Sequence, residues 1–494
     1  MASPAAPGSA PRLVFKNAAW LVGGQLLAAP LSVLVNAVIG RRLGPADLGY
    51  IYLASTLCSF GFLLVDFGQS TALPALVAQD RSRSGGLLGS SLAWRGATAV
   101  LVSAALFAGC VLLRYDRTFL LVLLLVSLAA CLVALASACQ DAIRGFERTD
   151  LAAVGQVGGQ LLAAALVVPT LLLGFGLAPM LIAQVVAAGI GLVAVAFFLR
   201  AVPLTRIAPD RQTLRRLLTA GAPFLFLGGA LALQPSVDAV LLARLAPAEV
   251  VGWHAVARKL CGPLLLPASA LIVSLYPTLS RLYREDREQY LALSRTALRS
   301  ATALAVPIAL GCALFPDLGT RIYGREAFGP AEDNLRVLSA LVFLCYFSMT
   351  LGCCLSAAGR QRAWAASQLG CVAISAALDP WLIPWFQVRL RNGGVGVSVS
   401  SVVSEVAMTC AAAWLAPKGL LDRPFARSLL AALAGGCAMV AVARLAANFT
   451  PFLAAPLSAA AYLIVLSSLG GIDRTQLNAL RDLALRRWKG LKRT

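Results

Sequence analysis

Apolar runs of about twenty residues recur along the whole chain, separated by short segments rich in Arg, Asp, Gly and Pro. Each run is long enough to cross roughly 30 Å of hydrocarbon as a helix. No run alternates apolar and polar positions as a barrel strand would, so only helical spans are predicted. Fourteen fit, the first eight near 17–40, 48–76, 87–113, 118–140, 151–173, 177–200, 219–243 and 250–276. The other six lie near 291–315, 334–358, 363–387, 394–416, 426–447 and 451–470. The ninth is the weakest, because Arg295 and Arg299 stand one helical turn apart in its first turns, where they can ride in the interface.

A short motif occurs twice. Positions 42–58 read RLGPADLGYIYLASTLC and positions 244–261 read RLAPAEVVGWHAVARKLC. Arg42 aligns with Arg244, Pro45 with Pro247 and Asp47 with Glu249; after one inserted residue Gly49 meets Gly252 and Cys58 meets Cys261. A weaker echo sets Gly145 to Arg148 against Gly359 to Arg362. Two related halves of membrane helices point to a transporter, since two bundles can rock about a shared cavity.

Charge sets the topology. With the N-terminus in the cytoplasm, the inner segments hold roughly 26 Lys and Arg, the outer ones about 11, and about 5 lie within spans. An even span number then puts both termini inside. The halves begin on the same side, so the repeats are parallel. The expected organisation is an N-terminal lobe of six spans (1–202), a basic cytoplasmic linker (203–217) and a C-terminal lobe of six spans (218–417). Two further spans (418–470) and a basic amphipathic tail (471–494) follow, with Leu477, Leu480, Ala484, Trp488 and Leu491 on one face and Arg481, Arg486 and Lys489 on the other.

Composition agrees: 59% of residues are hydrophobic and 13% charged, about half the charged share of a soluble domain. The net charge of +20 would suggest nucleic acid in a soluble protein. Here it is read as topology signal and cavity lining, with no nucleic-acid partner. The 12 cysteines lie mostly within apolar runs and read as small hydrophobes rather than a disulfide framework. A single histidine, His254, provides no zinc ligand set and no triad. The first apolar run lacks a convincing cleavage site and reads as a retained span. Asn448 opens a glycosylation sequon that would mean little in a bacterial protein. The glycine run at 393–398 lacks the lysine of a phosphate-binding loop and reads as close helix contact.

Several segments, in order, carry a family resemblance. They are RRLGPADLGYIYLAST, FGFLLVDFGQSTALPAL, PSVDAVLLARLAPAEVVGWHAVARKL, YGREAFGPAEDNLRVLS, SAAGRQRAW and NGGVGVSVSSVVSE. From about residue 14 to 447 the chain resembles the oligosaccharide (Wzx-type polysaccharide) flippases, whose superfamily also holds the MurJ lipid II flippases and the MATE drug exporters. Trp253-His254 departs from the family's tyrosine-centred pattern at that place. The resemblance implies an all-α, V-shaped, two-lobed bundle with a central hydrophilic cavity. It also implies movement of undecaprenyl-pyrophosphate-linked oligosaccharide across a bacterial inner membrane by alternating access, with no cofactor and no enzymatic activity. The expected partners are the lipid-linked oligosaccharide and membrane lipids, with proton or sodium as coupling ion. A monomer is expected, working beside a polysaccharide polymerase or glycosyltransferases.

Charged groups within spans cost about 2.5–3.5 kcal/mol each on insertion scales, so they face a cavity or a partner. Arg95, Arg258 and Lys259, with Arg299 at the ninth span, are the candidates for a cationic cavity that grips a pyrophosphate. Interface snorkelling or carboxylate pairing is the competing reading of each. Adjacent helical residues diverge by about 100°, so Arg258 and Lys259 cannot both face one point. Gln25, Asn36 and Gln234 are candidates for sugar hydroxyls, as are Gln156, Gln160 and Gln184; hydrogen bonding between helices is the plainer role. Glu405, Asp66, Asp238 and Asp379 are candidates for ion coupling or inter-lobe pairing. Two transport alternatives stay open, a lipid II flippase and a MATE-like exporter. A cation exporter should show an acidic cavity, whereas the charges within these spans lean basic. A membrane glycan polymerase or ligase would need a long outer loop, and the longest outer segment here is about 316–336.

Overall fold

The computed structural model describes residues 9–417, 419–420, 422–446 and 450–470, with side chains from residue 30 onward except 226–228, 230 and 231. The amphipathic tail, Gln25 and Asn448 lie outside the described residues and side chains. Among the described residues there is no strand. That is what lipid requires, because a helix pairs its own N–H and C=O groups without help from water.

The first helices are α1 (Ser9–Asp66), α2 (Gln69–Gln79), α3 (Ser84–Leu112), α4 (Arg117–Gly145), α5 (Thr149–Leu172) and α6 (Leu177–Phe198). Then come α7 (Arg211–Leu245), α8 (Ala248–Leu264), α9 (Leu266–Glu285), α10 (Arg287–Leu314), α11 (Pro316–Tyr323) and α12 (Arg325–Phe328). The last five are α13 (Ala331–Ala357), α14 (Gln361–Leu390), α15 (Gly393–Leu415), α16 (Arg423–Leu445) and α17 (Pro451–Ser468).

Among the described residues eleven helices are long and apolar enough to cross a membrane, or twelve if the bent pair α8 and α9 counts as one span. Two features separate this from the fourteen expected. The predicted first and second spans are counted as one because α1 is two helices that run together across a kink at Gly44 (φ 85°), where the backbone is not helical. The middle of α7 lies among the undescribed side chains. The bend between α8 and α9 is 42°, beside Pro263 and Pro267, where a missing N–H loosens the helical ladder.

Asp210, Asp286 and Asp422 cap α7, α10 and α16, accepting from Thr213 N (2.8 Å), Gln289 N (3.0 Å) and Phe425 N (2.8 Å). The Thr213 hydroxyl and amide hold the Asp210 carboxyl below its ordinary range, so this cap weakens only as pH falls through that lowered value.

The chain divides into two compact units. The first holds residues up to Ala255 together with Ile322–Ala327; the second holds the remainder. The basic linker lies within the first unit, laid along the start of α3: Gly85 and Gly89 leave room for the backbone of Thr205 to Pro209. Ser84 and Thr205 pair through their hydroxyls (3.3 Å), and Ser90 Oγ donates to Asp210 O (3.1 Å).

The repeated motif is where the two sequence halves meet inside this unit. A Cβ on Gly49 would overlap the carbonyl oxygen of Ala248, and one on Gly252 would overlap that of Pro45. The aligned glycines therefore serve one near-reciprocal contact in which backbone lies on backbone. His254 is buried beside the Tyr52 ring, and Trp253 Nε1 donates to Ala327 O (2.9 Å). The weaker echo is not such a pair: Gly145 packs against Val77 and Pro74, while Gly359 sits in a left-handed turn (φ 76°) with open space around it.

In the second unit α14 and α15 pack closely, a Cβ on Gly396 falling 2.6 Å from Leu382 C, as the glycine run led us to expect. All twelve cysteines are free.

Gly252→Ala sets a methyl group against rigid backbone and should lower stability by about 1–3 kcal/mol. Gly109→Ala, in a helix with no atom near its added Cβ, should be neutral or stabilising by roughly 0.5–1 kcal/mol. Thermal unfolding of the two variants in detergent checks this; equal midpoints would mean that the contact yields.

Candidate functional site

Leu88, Ser91, Arg95 and Ala99 fall on one face of α3, and all four are buried. Arg95 is 1% exposed, so its charge is met by protein groups and not by water. Its Nη1 donates to Ser137 Oγ (2.6 Å) and Ala134 O (3.2 Å). Its Nη2 donates to Asp66 Oδ1 (2.9 Å) and Asp141 Oδ2 (3.0 Å). Ser137 and Asp141 stand one turn apart on α4, so a single helix face presents a hydroxyl and a carboxylate to the guanidinium.

Asp141 also accepts from Arg144 Nη1 (3.2 Å), whose Nη2 reaches Gln156 Oε1 (3.4 Å) on α5. Two guanidinium groups and two carboxylates thus close the cluster at zero net charge. Such a cluster repays its desolvation only when complete; losing one member leaves a stranded charge.

A cavity of about 370 Å³ opens beside the cluster. Arg95 and Asp66 line it together with Ser55, Ser59, Ser137 and Gln184, the last from α6. Apolar walls come from Phe62, Val126 and Val133. Serine hydroxyls and an amide can bind sugar or phosphate oxygens, and the guanidinium at one end is held by Asp66 and Asp141.

In the second unit Arg258 and Lys259 are half-buried on α8. Arg258 acts electrostatically on Glu405 of α15, and Ser348 Oγ donates to the Glu405 carboxylate. This places one cation and one carboxylate of the sequence candidates together.

Residues 14–283, more than half of the chain, match the family model described as "Polysaccharide biosynthesis protein". The chain belongs to that family. No curated protein sequence matches. Among solved structures, the chain is similar to "Lipid II flippase MurJ, inward closed conformation", with TM-score 0.70 and 12% identity over 90% of this chain and 98% of that one. It is also similar to a multidrug resistance MATE family transporter of the MOP superfamily. The inward-facing form gives TM-score 0.64 and 14% identity over 78% of this chain and 94% of that one. The outward-facing form gives 0.54 and 15% over 81% and 95%. These likenesses show the fold: this member of the polysaccharide biosynthesis protein family is a multi-pass, all-helical membrane protein with the architecture of MOP-superfamily transporters.

The other sequence candidates lie elsewhere. Arg299 and Arg295 both pair with Asp422 at the cap of α16 (3.7 and 3.3 Å), and Arg295 also donates to Gly419 O. Asp379 is buried and accepts from Ser400 Oγ between α14 and α15. Asp238 is buried on α7, where Gln234 is half-buried. Asn36 donates to Ser32 O (2.7 Å) on its own helix. Asp141 and Arg144 escaped the sequence reading because the fourth span was predicted to end at 140, which put both in a loop; Ser137, inside that span, carried no signal of its own. The signal was there: α4 continues to Gly145, and a buried Arg95 needs a carboxylate from a neighbouring helix.

Asp141→Ala strands the Arg95 charge and should cost about 3–5 kcal/mol. Arg144→Ala, removing a partner that is 29% exposed, should cost about 1 kcal/mol or less. The double variant Arg95→Met/Asp141→Leu should recover most of the loss, since it removes both buried charges. Unfolding midpoints of the purified variants test the set; an Asp141→Ala protein as stable as wild type would remove the cluster from the structural account.

Proposed function

We propose that the protein is a flippase that moves undecaprenyl-pyrophosphate-linked oligosaccharide from the cytoplasmic to the outer leaflet of the bacterial inner membrane. It does so by alternating access, for surface polysaccharide synthesis, with both termini in the cytoplasm. The observation that carries this reading is the Arg95 cavity: a guanidinium at one end, serines and Gln184 around it, and apolar walls. A pyrophosphate needs the first, sugars or phosphate oxygens the second, and a lipid chain tolerates the third. Membership of a polysaccharide biosynthesis family supports the choice of a glycan-bearing lipid. Arg258 and Lys259 are a second cationic station for the same headgroup. Glu405, held by Ser348 and within electrostatic reach of Arg258, is the carboxylate best placed to link ion binding to that station.

Lipid II is the second reading. A protein described as a lipid II flippase shares the fold at TM-score 0.70, and lipid II has the same polyprenyl-pyrophosphate anchor. The two readings differ in the glycan, not in the chemistry asked of the arginines.

The test is lipid-linked glycan in a deletion strain complemented with wild type, Arg95→Gln or Arg258→Ala/Lys259→Ala. Undecaprenyl-linked oligosaccharide should accumulate on the cytoplasmic leaflet in the deletion strain. Wild type should clear it, and each variant should clear it at least about tenfold more slowly, the loss of one charge-assisted contact. Rescue by the variants would detach these residues from transport. Accumulation of lipid II instead would select the second reading, and no accumulation of either would overturn both.

A further inference from the structure

The Arg95 cluster is asymmetric in a way that its electrostatics do not require. Nη2 is shared by two carboxylates: Asp141 is 1% exposed, whereas Asp66 is 33% exposed and lines the cavity. Arg95 also lines that cavity while being 1% exposed, flanked there by its partners Asp66, Ser137 and Ala134, of which Asp66 alone is charged. If Asp66 turned away, the guanidinium would keep Asp141, Ser137 and the Ala134 carbonyl and would offer one donor to the cavity. Asp141 is a fixed partner; Asp66 is an exchangeable one.

What Asp66 does on its other side gives the exchange a consequence. It is the last residue of α1, and its two oxygens accept from Ser70 N (3.2 Å) and Ser70 Oγ (3.0 Å) at the start of α2. Between them Phe67 (φ 48°) and Gly68 (φ 72°) are both left-handed, a conformation that a bulky residue such as Phe67 holds only when its surroundings insist. The Phe67 ring stands edge-on to Trp94, 5.5 Å between centroids, and Trp94 adjoins Arg95. The turn is pressed directly on α7: a Cβ on Gly221 would overlap the Phe67 carbonyl, and one on Gly68 would overlap the Gly221 carbonyl. The ion pair is therefore one of the restraints on the turn through which the end of α1 touches the opening turns of α7, beside the Ser70 bonds and the Trp94 ring.

We infer that Asp66 is an internal stand-in for a phosphate: an anionic headgroup entering the cavity takes its place on Arg95 and frees the Phe67–Gly68 turn from α7. That the phosphate belongs to a polyprenyl-pyrophosphate rests on the proposed function. The displaced carboxylate keeps Ser70 as a partner, so the exchange leaves no buried charge bare, and headgroup binding is converted into movement where the two halves meet. Asp66 is a positioning residue in this scheme and Arg95 the ligand-contacting one.

The experiment uses the full chain in detergent, with undecaprenyl pyrophosphate as probe and undecaprenol as its uncharged control. Without ligand, Asp66→Asn should show faster amide hydrogen exchange over residues 64–72 than wild type, because the ion pair holding the turn is gone. Undecaprenyl pyrophosphate should produce the same acceleration in wild type, and undecaprenol should not. Asp66→Asn should bind the pyrophosphate about tenfold more tightly than wild type, its internal competitor removed, and Arg95→Gln about tenfold more weakly. Unchanged affinity in Asp66→Asn alongside lost affinity in Arg95→Gln would overturn the stand-in and leave the headgroup site standing. Wild type that binds pyrophosphate and alcohol alike would overturn the flippase reading and the displacement with it. The wild-type exchange arm decides the matter even if Asp66→Asn does not fold: no acceleration on binding refutes the release of the turn.

Discussion

A guanidinium carried into an apolar bundle must take its counter-charge with it, and much of the first unit is organised around doing so for Arg95. Three helix segments contribute. The end of α1 brings Asp66, α3 brings the arginine, and α4 brings Asp141 and Ser137 on successive turns of one face. Each must keep its register for the cluster to close, so the ion pairs specify the packing more than they stabilise it; well-packed apolar residues would serve stability as well. Retaining so costly an arrangement beside a cavity is understandable if the charge is used.

A second constraint is the close approach of backbones within the first unit. Gly49 against Ala248, Gly252 against Pro45 and Gly68 against Gly221 are contacts of main chain with main chain, and any side chain would force them apart. In a membrane no hydrophobic force drives helices together, so small residues and short contact distances do that work. The Phe67–Gly68 turn belongs to both constraints, since it follows the carboxylate that holds Arg95 and bears on α7.

Most of the architecture was legible in the chain because a membrane span is a single strong signal: twenty apolar residues and little else. The RLGPADLG and RLAPAEVVG motifs singled out Gly49 and Gly252, and these glycines proved to be a mutual contact. Less legible was where a helix ends. Ending the fourth span at 140 lost Asp141 by one residue, and with it the reason why Arg95 can be buried. The kink at Gly44, where the backbone leaves the helical range, separates the two helices of α1 between the two expected spans. Pairing between distant positions was the hardest part. Nothing local says that Arg299 serves Asp422 at a helix cap while Arg95 lines a cavity; both are arginines in apolar runs, and only the fold separates them.

The most direct measurement of the central claim is reconstitution. Purified protein would be placed in sealed liposomes whose inner leaflet carries polyprenyl-pyrophosphate-linked oligosaccharide, with an impermeant glycosidase outside. The cleavable fraction should rise with time beyond that of protein-free liposomes, and Arg95→Gln should remove most of the rise. A cleavable fraction no greater than in protein-free liposomes, from protein shown to be folded, would contradict the claim.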